Sequence, residues 1–370
     1  MHAKTAATTI LSSRFVIVVT VVVFLLCTIN SYNNKTTMQL LLFVLATLIL
    51  SSYVPNIFCT CLAWKPIVVT GGNKGQGLAL CQRILQEHED AYVFMCARDV
   101  LKGEAAQENM PSSQRSRCQV VQLDVTNIQS VQNAAQSVQK KLVELKCDDN
   151  SLFGVVSNAG ILWGYSLEEQ FQVNARGVRN FLDAFLPLLS PTYGRAIVVS
   201  SGLGPLMHSY ASAENQAIMN KDDLKWSDLE QLIETCLKVD AEQGGPEGFE
   251  AIGFPGGPFA ETAPDFHMYG LAKMMADAYM VTLGKNEAHS NMLINSVDPG
   301  LVYTDLILKM PRYEGKSMEE SGAQSPHQGV EAAMRVLFSD DVEGSGHFYA
   351  MNKDKTRLLK STIDVKPSED

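Results

Sequence analysis

The sequence has 370 residues but lacks both the cysteine spacings of metal sites and an excess of basic residues. Its eight cysteines include no Cys-x-x-Cys pair, and several fall in predicted strands or helices, as reduced core cysteines do. We therefore expect no metal and a domain that works in a reducing compartment. With 30 Lys/Arg against 40 Asp/Glu, the net charge of −10 predicts no nucleic-acid partner, although it is compatible with a local basic pocket for a phosphate.

Acidic residues are absent from the first 64 positions, which hold three Lys/Arg. The rest of the chain therefore has 27 Lys/Arg against 40 Asp/Glu, a net charge of −13. Residues 15–34 and 36–64 are uncharged, each with an apolar core of about 13 residues. We interpret residues 1–62 as a targeting or membrane-anchor segment outside the fold. The alternative is that Met38 or a later codon is the true start, which would make the protein cytoplasmic.

The remaining sequence is organised around residues 65–85, KPIVVTGGNKGQGLALCQRIL. The β-branched run at 66–70 predicts a buried strand, followed by a glycine-rich turn and an apolar helical pattern. This order forms a phosphate cradle, because glycine admits close approach of the backbone and the helix amino terminus faces the anion. The TGxxxGxG spacing differs from the commoner GxGxxG fingerprint, and an ordinary tight turn is the alternative.

The second predicted strand, 91–96, ends without the acidic residue that holds a ribose hydroxyl in NAD enzymes. Ala97 and Arg98 follow it instead. Arg98 and Lys74, which lies inside the glycine turn, are suited to bind a 2′-phosphate, and solvated surface charges are the alternative. The sequence therefore favours NADPH as the cofactor.

Strands and helices alternate along the rest of the domain. Strands are predicted at 66–70, 91–96, 120–123, 153–157, 195–200, 293–297 and 346–350, and helices at 127–146, 167–189, 264–283 and 326–338. This rhythm predicts an α/β fold with a doubly wound parallel sheet and a site at the carboxyl ends of the strands. The domain should span 63–353, followed by a polar tail at 354–370. Residues 202–263 interrupt it as an insertion without strands, in which Ser227 and Glu230 suggest a capping box and 244–264 a loop.

Tyr269 and Lys273 are four residues apart on a predicted helix and so share one face. A nearby ammonium is expected to lower the pKa of the phenol from about 10, so that the phenol can exchange a proton near neutral pH. Tyr349 and Lys353 have the same spacing, but in a predicted strand they would stand about 13 Å apart. We therefore assign the chemistry to Tyr269 and Lys273, together with Ser201 at the end of the fifth strand.

Over residues 65–350 the order of the motifs resembles that of the classical short-chain dehydrogenases/reductases. The motifs are, in order, TGGNKGQG, Asp124, the NAG at 158–160, Ser201 and YxxxK. Longer stretches are similar to the NADPH-dependent carbonyl reductases and to plant ketone reductases of terpenoid and alkaloid metabolism. These stretches are TGGNKGQGLAL, CARD, VNARGVRNFLDAFLPLL, the insertion and NSVDPGLVYTDL. The resemblance implies a single Rossmann-type domain. It also implies reduction of a small-molecule aldehyde, ketone or quinone to an alcohol.

The resemblance also implies roles for the catalytic residues. Tyr269 would protonate the carbonyl oxygen and Ser201 would hydrogen-bond it. Lys273 would bind the nicotinamide ribose, and Asn174 would hold a water in a proton relay. Ser200 is the rival to Ser201, and bracing of local backbone is the alternative role for Asn174.

A cofactor-binding set follows from the same resemblance. Its glycines would carry the pyrophosphate, Asp124 the adenine and Asn158 the ribose side, unless Asn158 only braces the backbone. Pro299, Gly300 and Thr304 would seat the nicotinamide amide. The full set is Gly71, Asn73, Lys74, Gly75, Gln76, Gly77, Arg98, Asp124, Val125, Asn158, Ala159, Gly160, Tyr269, Lys273, Pro299, Gly300, Val302 and Thr304.

Several positions depart from the family pattern. Asp298 stands where some carbonyl reductases have cysteine, and Leu301 and Tyr303 stand where Trp and Arg are common, which predicts an altered substrate pocket. Ser201 and Tyr269 are 68 residues apart, and in that family such an insertion favours monomers, so we expect a monomer. Two other functions stay open. A lipid- or retinoid-type alcohol dehydrogenase fits the hydrophobic amino terminus, and an inactive scaffold is disfavoured by the intact catalytic set.

Overall fold

The computed structural model describes residues 64–352, 354 and 356–361. The predicted targeting or anchor segment, 1–62, lies outside this range, as does the end of the predicted tail. Within the range, no helix combines the length and the apolar character needed to cross a membrane. The five cysteines described there are buried, as expected for core cysteines.

Eight strands form one sheet in the order β3-β2-β1-β4-β5-β6-β7-β8. All neighbouring pairs are parallel except β7 with β8. This confirms the predicted doubly wound sheet in a single Rossmann-type domain. The strands are β1 Lys65–Thr70, β2 Ala91–Ala97, β3 Cys118–Gln122, β4 Gly154–Ser157, β5 Arg195–Val199, β6 Leu293–Asp298, β7 Phe348–Met351 and β8 Leu358–Ser361.

Both faces of the sheet are buried under helices, which explains why its central strands are apolar at consecutive positions. In β1, Val68 contributes to the core on one face, whereas Ile67 and Val69 contribute to the core on the other. The helices are α1 Gly75–Glu87, α2 Val100–Glu108, α3 Ser112–Arg115, α4 Ile128–Leu145, α5 Leu167–Phe171, α6 Gly177–Phe185, α7 Leu203–Tyr210, α8 Ala213–Met219, α9 Trp226–Ala241, α10 Gly245–Ala251, α11 Phe259–Thr262, α12 Pro264–Lys285, α13 Asp305–Leu308, α14 Met318–Ser321, α15 Pro326–Gly329 and α16 Glu331–Phe338.

The predicted helix 167–189 is continuous but not uniformly α-helical. A π-helical turn, Gln172–Arg176, joins α5 to α6, and a 3₁₀ turn, Leu186–Leu188, follows. Such single π turns widen a helix locally and are common at functional sites. Asn174, a predicted catalytic residue, lies in this turn and is fully buried.

The insertion differs from the prediction in two details, although it contains no strand. Its main helix, α9, begins at Trp226, and the Asp228 carboxylate accepts a hydrogen bond from the Lys225 backbone N–H, so the predicted cap at Ser227 and Glu230 is wrong. The region predicted as a loop contains the short helices α10 and α11. Most of the glycines and prolines stand at helix starts and between the helices, where both residues are tolerated, and Gly248 lies inside α10.

The predicted polar tail also contains structure. Leu358–Ser361 forms β8, which pairs antiparallel with β7 at the edge of the sheet. Its side chains are half-buried or exposed, so the apolar signal of a central strand is missing.

Strand order reverses between β1 and β4, whose chains leave the sheet toward opposite sides. Such a reversal opens a crevice at the carboxyl ends of the strands, where ligands bind in open α/β sheets. The glycine turn after β1 and the NAG segment after β4 both stand at this point.

Candidate active site

A cleft of about 330 Å³ lies at the carboxyl ends of β1 to β6. Its walls include all the predicted cofactor residues except Gly300 and Val302. Both belong to the loop that follows β6, where Gly300 is exposed and Val302 is buried. Two predicted catalytic residues, Tyr269 and Lys273, line the cleft, whereas Asn174 and Ser201 are not on its wall.

The glycine turn is shaped by close backbone contacts. Gly71 and Gly75 have φ of +64° and +52°, in the left-handed region that favours glycine. A Cβ on Gly77 would lie 2.2 Å from the Gly71 carbonyl oxygen, so no larger residue fits there. Helix α1 begins at Gly75 without a side-chain cap, which leaves its first N–H groups for an anion.

Asn158 braces this turn against β4. Its side-chain amide donates to the Thr70 carbonyl oxygen at 2.9 Å, and the Thr70 hydroxyl accepts from the backbone N–H groups of Asn158 and Ala159 at 2.9 and 3.0 Å. This geometry matches the bracing alternative for Asn158, while the residue also lines the cleft. Its contact with a ribose stays a prediction.

Basic side chains stand at one end of the cleft. Arg98 is exposed, and the described residues offer its side chain no hydrogen bond or ion pair. Lys74 forms an ion pair with Asp305 at 2.8 Å, and both side chains are about two-thirds exposed. Asp124 accepts hydrogen bonds from the Thr126 backbone N–H (3.0 Å) and hydroxyl (2.7 Å), so its carboxylate is held against its own turn.

The predicted catalytic pair stands at the other end of the cleft. Tyr269 and Lys273 lie on α12, and Lys273 Nζ is 5.5 Å from the centre of the Tyr269 ring. Lys273 is 3% exposed and donates to the Val199 carbonyl oxygen at 2.7 Å. Burial lowers the pKa of this ammonium, and the nearby Asp277 carboxylate opposes that shift.

The expected lowering of the Tyr269 pKa is wrong for this structure. Burial raises the pKa of the phenol, and the carboxylates of Asp298 and Asp277 raise it further. A phenol with a raised pKa stays protonated through neutral pH. Tyr269 is therefore a phenol and not a phenolate in this structure.

Of the two neighbouring serines, Ser200 is committed to the interior. It is 1% exposed, and its hydroxyl donates to Asp277 at 2.7 Å, although the residue also touches the cleft. Ser201 is half-buried at the end of β5, and its oxygen accepts only a long hydrogen bond, 3.3 Å, from the Leu203 backbone N–H. Its own proton is therefore available, which favours Ser201 over Ser200 as a donor to a substrate.

Asn174 is held by its neighbours. Its side-chain oxygen accepts from the Ile161 backbone N–H at 3.0 Å, and its nitrogen donates to the Ile161 carbonyl at 2.8 Å and to Gln170 at 2.7 Å. A Cβ on Gly160 would lie 3.1 Å from Asn174 Oδ1 and 3.9 Å from Lys273 Nζ. Asn174 thus braces the backbone beside Lys273, and its role in holding a water stays a prediction.

Comparison with known proteins agrees with this arrangement. The family model for short chain dehydrogenases matches residues 65–218. "Short-chain dehydrogenase/reductase 1" of Saponaria officinalis is 28% identical over 77% of this chain and 94% of its own length. Carbonyl reductase (NADPH) 3 of Homo sapiens is 25% identical over 70% of this chain and 88% of its own length.

These matches support a classical short-chain dehydrogenase/reductase. They support an oxidoreductase of this family, close to the carbonyl reductases, and the family uses nicotinamide cofactors. Among solved structures, salutaridine reductase from Papaver somniferum has the same fold, with a TM-score of 0.60 and 24% identity over 77% of this chain and 99% of its own.

In this short-chain dehydrogenase/reductase, the loop after β6 closes over the glycine turn. A Cβ on Gly75 would lie 3.3 Å from the Thr304 methyl group, and Pro299 and Thr304 both line the cleft. Asp298, at the end of β6, accepts from the Gly300 backbone N–H at 2.8 Å. The loop therefore connects the two ends of the cleft.

Sequence reasoning did not find the remaining wall of the cleft. It contains Leu162, Trp163, Tyr165, Leu306 and Lys309, with the Lys309 ammonium 5.9 Å from the Tyr165 ring centre. The signal for the first three was their position just after the NAG segment. Asp277 was also missed, although it is the next residue after Tyr269 and Lys273 on the same helical stripe.

The tyrosine of the second Tyr-x-x-x-Lys copy lies in a strand, as predicted. Tyr349 lies in β7, is 2% exposed, and its hydroxyl donates to the Glu343 carbonyl oxygen at 3.2 Å. Lys353 lies outside the described residues.

We predict that Gly77→Ala weakens dinucleotide binding by about tenfold or more, or about 1.4 kcal/mol. The added methyl group would press on the Gly71 carbonyl and open the turn. Fluorescence titration with NADPH measures the effect. Gly315→Ala is the control, because Gly315 has φ of +73° but no atom near its missing Cβ, so this variant carries backbone strain alone. Equal affinities for the Gly77 variant and the wild type would contradict the prediction.

Proposed function

We propose that this protein is an NADPH-dependent carbonyl reductase that converts an aldehyde, ketone or quinone to an alcohol, with Tyr269 as the general acid. The observation that carries the proposal is the buried phenol of Tyr269 beside the Lys273 ammonium, on the wall of a cleft whose other end holds Arg98, a cation without an ion pair among the described residues. Relatives named carbonyl reductase and (+)-neomenthol dehydrogenase, the latter from Arabidopsis thaliana, support it.

The residues of the cleft fit a nicotinamide dinucleotide. The backbone at Gly71, Gly75 and Gly77 leaves room for a pyrophosphate at the uncapped start of α1. Ala97 presents no carboxylate that would repel a 2′-phosphate, and Arg98 is free to bind one. When bound, NADPH supplies the hydride that reduces the carbonyl carbon.

The side chains of this chain would orient the substrate and deliver the proton. Tyr269 donates its proton to the carbonyl oxygen as charge develops there, and Ser201 donates a hydrogen bond to the same oxygen. Lys273 binds the nicotinamide ribose with the ammonium protons that Val199 leaves free. Asn174 fixes the Gly160–Ile161 backbone against which the ribose would lie.

The wall beyond Tyr269 is largely apolar, which favours a carbonyl compound with a hydrophobic body. Leu162 is buried, Trp163, Tyr165 and Leu306 are half-buried, and all four face the cleft. Such walls exclude water from the reacting oxygen and strengthen the hydrogen bonds made to it.

We further propose that the enzyme acts as a monomer.

The proposed activity is tested by following NADPH consumption against quinones, aromatic aldehydes, steroids and retinal. Tyr269→Phe should lower kcat by about 10²–10⁴-fold or more, because the proton donor is lost, and leave NADPH affinity nearly unchanged. Tyr349→Phe is the matched control and should keep its turnover. Turnover of retinal alone would favour the lipid-type dehydrogenase. No turnover by a protein that binds NADPH would favour the scaffold, and near-normal rates in Tyr269→Phe would remove this residue from the mechanism.

Cofactor choice is tested at Arg98. Arg98→Ala should weaken NADPH binding by about ten- to a hundredfold, because a charge-assisted contact contributes about 1.5–3 kcal/mol, and leave NADH binding almost unchanged. Lys102→Ala removes a nearby exposed cation that pairs with Asp99 and serves as the control. Equal weakening of both cofactors would show that Arg98 does not read the phosphate.

We also propose that residues 1–62 place the protein at a membrane or in an organelle. The support is their composition, with two uncharged apolar runs and no acidic residue. Expression of the full chain followed by membrane fractionation tests this proposal. We expect the protein in the membrane fraction or cleaved after import. Recovery of the whole, uncleaved chain in the soluble fraction would instead support a later start codon.

A further inference from the structure

Asp277 is a fully buried carboxylate one helical turn beyond Lys273 on α12. Its two oxygens accept hydrogen bonds from the hydroxyls of Ser200 and Ser296, each at 2.7 Å. Two neutral donors do not offset the cost of burying a carboxylate, which needs an opposite charge close by. Burial raises the pKa of Asp277 to about 7, and the Lys273 ammonium, four residues earlier on the same helix face, opposes that shift, although the two side chains form no direct ion pair.

The bonds of Asp277 and Lys273 meet on the same piece of backbone. Lys273 holds the Val199 carbonyl, and Asp277 holds the hydroxyl of Ser200, the next residue. Ser296 belongs to the adjacent strand β6 and is paired in register with Val198. The two charged side chains therefore tie α12 to the carboxyl ends of β5 and β6, immediately before Ser201.

Helix α7, which follows Ser201, is fitted to the same carboxylate. A Cβ on Gly204 would lie 2.3 Å from Asp277 Oδ2, so this position in α7 must be glycine while Asp277 is present. The carboxylate thus touches the elements on both sides of Ser201, as well as the helix that carries Tyr269.

We propose that Asp277 is a positioning residue for the reaction, whose carboxylate balances the charge of Lys273 and holds the end of β5 so that Ser201, Tyr269 and Lys273 keep one arrangement. This inference rests on the proposed reductase activity. Asp277 touches neither substrate nor cofactor and acts through Lys273 and Ser200.

The charged groups around Asp277 decide how the rate should depend on pH. Two of these groups, Tyr269 and Lys273, precede Asp277 on α12. A third, Asp298, stands at the end of β6. The elements packed on α12 from β5 and β6 contribute the neutral hydroxyls of Ser200 and Ser296. The negative charge of Asp277 raises the pKa values of both Lys273 and Tyr269. Removing it should therefore lower both.

The first experiment compares the pH dependence of kcat/KM in the reduction direction for the wild type and Asp277→Asn. The amide keeps the shape, accepts from one serine and donates to the other. Loss of the phenol proton or of the lysine charge ends activity at high pH, so the alkaline limb should move to lower pH by about one unit. Asp183→Asn is the matched control, because the Asp183 carboxylate also accepts a hydrogen bond from a tyrosine of α12, Tyr279. The alkaline limb of this variant's pH profile should not move.

A uniform fall in rate at every pH for Asp277→Asn, with the limb unmoved, would overturn the proposal, because a merely structural role predicts that result. An alkaline limb that moves equally in Asp183→Asn would overturn it as well.

The second experiment needs no substrate and so separates this inference from the proposed activity. Thermal unfolding at pH 8 is measured for Asp277→Asn, Lys273→Met and the double variant. If the two charges balance each other, each single change leaves one buried charge alone, and the double variant should melt several degrees higher than additive losses predict. Additive losses would overturn the proposal. An Asp277→Asn protein that folds in neither background would overturn it too, since the carboxylate would then serve the fold independently of Lys273.

Discussion

The arrangement of the site depends on one buried cation. The Lys273 ammonium has almost no contact with solvent, and its hydrogen bond to the Val199 carbonyl oxygen joins the longest helix to the centre of the sheet. A buried ammonium is costly unless acceptors and a negative charge surround it. The Val199 carbonyl at the end of β5 supplies an acceptor, and Asp277, held by Ser200 and Ser296, supplies the negative charge. Tyr269, one turn away on the same helix, is buried near these same groups.

Electrostatics divides the cleft into two ends. The chain as a whole is acidic, yet the exposed cations Lys74 and Arg98 stand at one end of the cleft, and of these two only Lys74 has an acidic partner among the described residues. At the other end the carboxylates of Asp277 and Asp298 face the phenol and keep it protonated.

The parts of the fold that local sequence determines were predictable. The glycine turn could be read from residues 71–77, because its backbone demands are met within a few positions, and Tyr269 with Lys273 followed from helical spacing. The pKa of Tyr269 was predicted in the wrong direction, since it depends first on the burial of the phenol and then on the Asp298 carboxylate, and tertiary packing rather than helical spacing sets both. Strand β8 was missed because pairing at a sheet edge needs no apolar run. The π turn at Asn174 was hidden because one extra residue per turn leaves no compositional trace.

The fit of Gly204 against Asp277 has a consequence for how this sequence can diverge. Position 204 cannot accept a larger side chain alone, since a methyl group there would overlap the Asp277 carboxylate. A smaller neutral residue at 277 would remove that restriction and leave a gap that a side chain at 204 could fill. The two sites are therefore epistatic, and descendants of this sequence should exchange them as a pair or keep both.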